Sequence, residues 1–240
     1  MTRMKVLIVY AHPDPSSFCA ALKGAAAEAI HKAGHQAIIS DLYAEGFNPV
    51  AGRHDFLAAA DAERFHYQSE QLHAAQTLGF CGEISREQGR VEAANAIVFL
   101  FPLWWGGPPA ILKGWIDRVL AYGFAYVDGR RFDSGLFQAK RSLLCVTTGG
   151  TPARFAADGA YGEIDRVLWP IQRLTLDYMG LAPEEPFVCY GTPRVDEDVR
   201  KGYLSTWRER LHAMLDKGPP AGPQETAPIL SEAAAWTRNA

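Results

Sequence analysis

Short unbroken apolar runs alternate along this chain with longer stretches of helical periodicity. Lys5–Tyr10 and Ala96–Phe101 are apolar at nearly every position. Runs that short, without polar alternation, suit strands buried on both faces. Gln36–Ser40, Ser142–Val146 and Pro186–Tyr190 predict three further strands, the last an edge strand because of its prolines. Ser16 or Ser17 can cap an Ala-rich helix that reaches about Ala33, and Gly34 closes it. Asp41–Arg53 looks irregular, with Gly46, Pro49 and Gly52 as breakers, and residues 54–94 carry two or three helical patterns. From Ala110 to Leu120 the apolar positions share one helical face, and Pro108-Pro109 stands where that helix begins. Tyr122–Lys140 reads as a long loop. A helix is expected from Gly162 to about Met179, kinked at Pro170, and another from Asp196 to Leu215. The division expected is a domain over 1–216 and a Pro/Gly/Ala-rich tail over 217–240.

Strands alternating with helices imply an α/β fold with a parallel sheet covered on both faces. Five strands fit the flavodoxin-like doubly wound order 2-1-3-4-5 with right-handed crossovers. In such a sheet ligands bind at the carboxyl ends of the strands. Three turns should converge there: 11–19, 102–107 and 147–155. In the first, Ser17 and the amides of Phe18 and Cys19 form a helix N-terminus suited to phosphate oxygens, and His12 adds a donor or a charge. His12 could equally be a turn histidine bonded to its own loop. The second turn follows Pro102, which lacks an N–H for the ladder and should stop the third strand. Leu103, Trp104 and Trp105 offer apolar walls, and Gly106 lets backbone approach a planar ligand. The same tryptophans could simply be core. Thr147, Thr148, Gly149 and Gly150 are either a tight turn or a polar rim for a heterocycle, and spacing leaves both open. There is no GxGxxG after the first strand.

Composition narrows the partners. A net charge of −3 over 240 residues makes no electrostatic case for nucleic acid or anionic membrane. The four cysteines form no CxxC pair, which fits a reducing, cytoplasmic compartment. The apolar stretch Val6–Ala11 is too short for a signal-peptide core or a membrane span. Seven scattered histidines suggest no metal site.

The segments AHPDPSSF, SDLYAEGFNP, FPLWWGGPPAILKGWIDRV, GFAY, TTGG and LWPIQ occur in order between about Lys5 and Leu211. In combination they make the chain resemble the NAD(P)H:quinone oxidoreductases of the DT-diaphorase type. The resemblance implies a flavodoxin-like homodimer that binds FAD and takes hydride from NADH or NADPH. Hydride would pass through flavin N5 to a quinone in a ping-pong cycle. By position it implies His12, Ser17, Phe18 and Cys19 along the pyrophosphate and ribityl chain. Pro102–Gly106 and Thr147–Gly150 would line the isoalloxazine, with Phe155 beside them. Arg200 would lie near phosphate or ribose, and Asp117 and the second subunit's His66 near the adenine. Tyr126, Asp128, Tyr178 and Phe155 would border the substrate cavity, the first three supplied by the second subunit.

Several positions depart from that family. Phe155 and Tyr161 stand where its mammalian enzymes have a tyrosine and a histidine, leaving Tyr161, Gly149 and Gly150 as the expected catalytic donors. Arg131 and Arg154 replace methionines, Asp128 a tyrosine, Gly106 an aromatic residue and Trp104 a glutamine. Two other activities suit the same features: an FMN azoreductase or nitroreductase, and a regulatory flavoprotein subunit of a potassium-efflux transporter.

Overall fold

The computed structural model describes residues 3–222. The strands are β1 (Lys5–Tyr10), β2 (Gln36–Asp41), β3 (Ala96–Pro102), β4 (Arg141–Thr147), β5 (Ala182–Pro183) and β6 (Phe187–Cys189). They form one parallel sheet in the order β2-β1-β3-β4-β5, with β6 also on β4. The expected order therefore holds, with one correction. The fifth position is two short strands: β5 pairs with Arg141 and Ser142, and β6 pairs with Cys145–Thr147. Pro186 lies between them and has no N–H with which to continue a single ladder.

The helices are α1 (Phe18–Lys32), α2 (Tyr67–Thr77), α3 (Gly82–Ala93), α4 (Ala110–Val119), α5 (Ile164–Ile171) and α6 (Glu197–Asp216). Alternate residues of each central strand feed two separate cores, which is why the strands read as unbroken apolar runs. Leu7, Val9, Ile97, Phe99 and Phe101 join Leu112, Trp115 and Leu168 on one face. Val6, Ile8, Val98 and Leu100 join Leu22, Ala26, Trp207 and Leu211, from α1 and α6, on the other.

Two prolines shape the elements they meet. Pro102 ends β3 as expected, one residue beyond the apolar run Ala96–Phe101, and stands opposite Thr147. The ladder runs one step further, because the Leu103 N–H donates to the Thr147 carbonyl at 2.8 Å. A proline is tolerated at a strand end, where little of the ladder depends on its nitrogen. Pro170 does more than kink its helix. After Ile171 the winding widens to a π-turn over Gln172–Leu176, then tightens to a 3₁₀ turn over Asp177–Met179. A ring without an N–H removes one i→i−4 bond, and the π-turn re-pairs the backbone in a different register.

The irregular segment after β2 is held by buried charge. Asp55 and Arg118 are both almost fully buried. The Arg118 guanidinium donates to Asp55 Oδ1 at 2.9 and 2.7 Å, to Glu83 Oε2 at 2.5 Å, and to the Asn48 carbonyl. The Tyr67 hydroxyl donates to the other Asp55 oxygen at 2.6 Å. Burial alone would lower the Arg118 pKa, but the bonds to Asp55 and Glu83 outweigh it and hold the group charged. Of the tail expected over 217–240, residues 217–222 are described and the rest lies outside the described residues. No helix among the described residues is long and apolar enough to cross a membrane.

Candidate active site

The three predicted turns lie at the carboxyl edge of the sheet, each built differently. In the first, His12 Nδ1 accepts the Asp14 N–H at 3.0 Å. Asp14 in turn accepts the Ser16 hydroxyl at 2.7 Å and the Ser16 N–H at 2.8 Å, which hold its carboxyl below the usual range. Ser17 is the N-cap of α1, its Oγ accepting the Ala20 N–H at 3.2 Å. The N–H groups of Phe18 and Cys19 have no protein acceptor among the described residues. They carry the positive end of the α1 dipole, an arrangement that receives an anion. The Cys19 side chain instead points inward, its Sγ 3.0 Å from Thr147 Oγ1. Burial pushes that thiol up to about 11, so it stays protonated.

Arg200 sits on the first turn of α6. Phe18 meets Tyr203, three residues on, with ring centroids 6.3 Å apart. That contact packs the start of α1 against the second turn of α6. The Arg200 Nε is buried and has no hydrogen-bond partner. A buried guanidinium nitrogen without a partner, on a helix that packs against α1, is a second unmet donor beside the fold's own bonds.

In the second turn, Trp104 and Gly107 exchange backbone hydrogen bonds at 2.9 and 3.0 Å. Between them Trp105 and Gly106 are both left-handed, with φ of 51° and 73°. Glycine adopts that conformation freely, whereas a bulky residue does so at a cost of order 1–3 kcal/mol. Trp105 is also fully exposed, at 106% of its reference area, and Trp104 is 42% exposed. Neither is core, contrary to the second possibility read from the sequence. Trp104 faces His12 with ring centroids 6.2 Å apart. A strained, wholly exposed indole beside an anion site is a surface prepared for a flat ligand.

In the third turn, the threonine hydroxyls do not form the rim expected of them. Thr147 bonds Cys19, and Thr148 Oγ1 donates to the Gly150 carbonyl at 2.8 Å. Both side chains are buried. The N–H groups of Gly149 and Gly150 are left without a protein acceptor among the described residues. Phe155 is buried against Tyr161 and Tyr190, at 5.2 and 5.8 Å between centroids. The close approach at Gly150 requires glycine, because a Cβ there would lie 2.7 Å from the Phe155 ring and 3.0 Å from that of Tyr161. Tyr161 is half exposed, and its hydroxyl oxygen accepts from Arg154 Nη1 at 2.7 Å.

The remaining expected residues form a second group. Tyr126 packs edge-on against Tyr178 at 5.8 Å, and Tyr122 donates to Asp128 at 3.2 Å. Asp117 is ion-paired to Lys113 at 2.6 Å. Asp117, Tyr126 and Tyr178 line one open cleft of about 340 Å³ with Lys113, Ile116 and Leu174. His66 caps α2, its Nδ1 2.8 Å from Ser69 Oγ. No hydrogen bond, ion pair or ring contact among the described residues links this group to the three turns. One residue at the carboxyl edge escaped the sequence reading. Arg194, in the turn after β6, donates to the Gly149 carbonyl at 2.6 Å. Its signal was the fifth strand itself, whose turn must emerge at the same edge as the other three.

Comparison with known proteins follows this geometry. Residues 4–211 match the family described as flavodoxin-like fold. The chain is 40% identical over 216 residues to "NAD(P)H dehydrogenase [quinone] 1" of Cavia porcellus, covering 90% of this chain and 78% of that protein. It is 40% identical over 220 residues to "Ribosyldihydronicotinamide dehydrogenase [quinone]" of Pongo abelii, covering 91% and 95%. Among solved structures, a candidate quinone reductase of Klebsiella pneumoniae superposes with a TM-score of 0.85 at 34% identity, covering 96% of this chain and 93% of that one.

Proposed function

This chain belongs to the flavodoxin-like family that includes the NAD(P)H quinone dehydrogenases, and from that premise we propose that it is an FAD-dependent quinone reductase acting as a homodimer. The observation that carries the cofactor assignment is the set of donors without a partner among the described residues, Phe18 N and Cys19 N at the start of α1 and Arg200 Nε on α6, the helix that packs against it. Three donors from two helices suit a diphosphate better than a single phosphate ester. Trp105, together with the backbone of Leu103–Gly106, would take one face of the isoalloxazine. When bound, the flavin supplies two-electron transfer between a nicotinamide donor and a quinone acceptor.

The protein's own part is placement and charge. The amides of Gly149 and Gly150, free of protein acceptors among the described residues, would donate to the polar edge of a bound flavin. Such donors stabilise a charged transition state more than a neutral ground state. Tyr161 adds a side-chain donor. Its oxygen is already occupied by Arg154, so its own proton is free to point into the pocket, and the guanidinium makes it a stronger donor. Donor and acceptor would use the same face in turn, giving ping-pong kinetics. Asp117 and His66 would reach the adenine, and Tyr126, Asp128 and Tyr178 would close the substrate pocket, across a subunit boundary.

The test has three readouts. Heat extraction of the yellow protein should release FAD in equal stoichiometry; FMN would refute the diphosphate assignment. Sedimentation should give twice 26.4 kDa. Anaerobic stopped-flow should show bleaching by NADH or NADPH and recovery on adding a quinone. Tyr161→Phe should slow bleaching roughly tenfold to a thousandfold. Unchanged rates in that variant would confine the role to the glycine amides.

A further inference from the structure

We propose that the site selects a redox partner carrying a fixed negative charge, and that Arg154 and Arg194 make the selection. This rests on the quinone reductase reading and adds the chemical class of its substrate. Both arginines are exposed and both are tied to the Gly149–Gly150 turn. Arg194 Nη1 bonds the Gly149 carbonyl at 2.6 Å. Arg154 Nη1 bonds the Tyr161 hydroxyl at 2.7 Å, and the Tyr161 ring lies against Gly150, where a Cβ would come within 3.0 Å of it. So each guanidinium is held by one nitrogen against a neutral oxygen, on a residue that is exposed at the carboxyl edge of the sheet.

Neither arginine has a carboxylate partner among the described residues. Most other arginines here do: Arg86, Arg90, Arg118, Arg131, Arg141, Arg166, Arg173, Arg208 and Arg210 all form ion pairs. The acids nearest in sequence, Asp158 and Asp196, form no ion pair with either arginine among the described residues, and Asp196 is engaged as the N-cap of α6, accepting the Val199 N–H at 2.9 Å. Glu163 is paired with Arg166, and Asp165 bonds neither arginine although its field reaches Tyr190. Two guanidinium groups without an ion pair among the described residues therefore stand at the Gly149–Gly150 turn in a chain whose net charge is −3. Guanidinium groups held in a fixed fork bind carboxylate, sulfonate and phosphate oxygens through paired N–H bonds. A charged rim also concentrates oppositely charged ligands at the mouth. The partner that fits is a planar redox molecule with an acidic group beyond its ring. That group belongs either to an acidic quinone or to the extra phosphate of NADPH.

The experiment compares kcat/KM of the flavin-loaded enzyme for a naphthoquinone sulfonate and for neutral menadione, at low and high salt. A second arm compares NADPH with NADH at fixed menadione. In wild type the anionic member of at least one pair should be preferred, less so at high salt. Arg154→Met should lower that preference ratio about tenfold and Arg194→Met about threefold, while Arg154→Lys retains most of it. A shift confined to the quinone pair assigns the charge to the acceptor, and one confined to the nicotinamide pair assigns it to the donor's phosphate; either supports the proposal. Ratios unmoved in both methionine variants, or equal losses on charged and neutral members, would overturn it. A wild type that reduces neither quinone defeats the quinone reductase reading and this proposal with it. One that reduces both with unmoved ratios defeats only the charge selection.

Discussion

Trp105 and Trp115 lie on one strand–turn–helix unit yet have opposite fates, and Arg118 and Arg200, on different helices, repeat the contrast. Trp115 is fully buried, its indole N–H bonded to Glu87 Oε2 at 2.9 Å. Trp105 is fully exposed on strained backbone. Arg118 has each of its charged partners in place, whereas the buried Arg200 Nε has none. A polar or aromatic group whose needs are met inside the chain serves the fold. One whose needs are left open, at a cost the fold must carry, marks where something else binds.

The largest effect expected from breaking this contrast is on the satisfied side. Arg118→Met leaves Asp55 buried without its counter-charge and should cost about 3–5 kcal/mol of unfolding free energy, read by urea denaturation. Arg200→Met should do the reverse. The apoprotein's urea midpoint should hold or rise, because an unpartnered buried donor has gone. FAD affinity should fall roughly ten- to a hundredfold by fluorescence titration, the worth of a charged hydrogen bond. A large loss of apoprotein stability in that variant would make Arg200 structural.

Trp105→Gly sharpens the comparison at the strained turn. Relief of the left-handed conformation should stabilise the apoprotein by about 1 kcal/mol. The same change should weaken flavin retention more than Trp104→Ala does, because Trp104 is partly covered and already contacts His12. Equal retention in the two variants would remove Trp105 from the cofactor surface.

The smallest effect concerns the thiols. Burial holds Cys19, Cys145 and Cys189 protonated, with Cys19 raised to about 11. Near neutral pH a thiol reagent should therefore label only the half-buried Cys81 quickly, as mass spectrometry would show. A folded pKa above the unfolded value means stability is full below the ordinary thiol range of about 8.5. It should then erode as pH climbs toward the folded values. Rapid labelling of Cys19 would mean that the α1 N-terminus opens.

Much of this was legible because it depends on local pattern. The unbroken runs of β1, β3 and β4 declare two-sided burial, and Ser17 followed by alanines declares a helix start. The helix face of α4 follows from the spacing of Leu112, Trp115 and Val119. What stayed hidden were choices between equivalent partners. Thr147 and Thr148 carry hydroxyls that suit a ligand or a neighbour, and only packing shows them spent on Cys19 and Gly150. Pro186 and Pro102 each look like a breaker, yet one divides a strand and the other ends a strand whose next residue, Leu103, makes one more bond to β4.

The order of the sheet, the position of the turns and the residue types available at the carboxyl edge were determined by the sequence itself, since periodicity and apolar burial are properties of consecutive residues. Which side chains remain open at that edge was decided only by the tertiary structure. Arg194 and Arg154 lie forty residues apart and meet one turn through different strands. Whether a guanidinium ends beside a carboxylate or beside a carbonyl depends on packing between segments remote in sequence, and no local pattern records it.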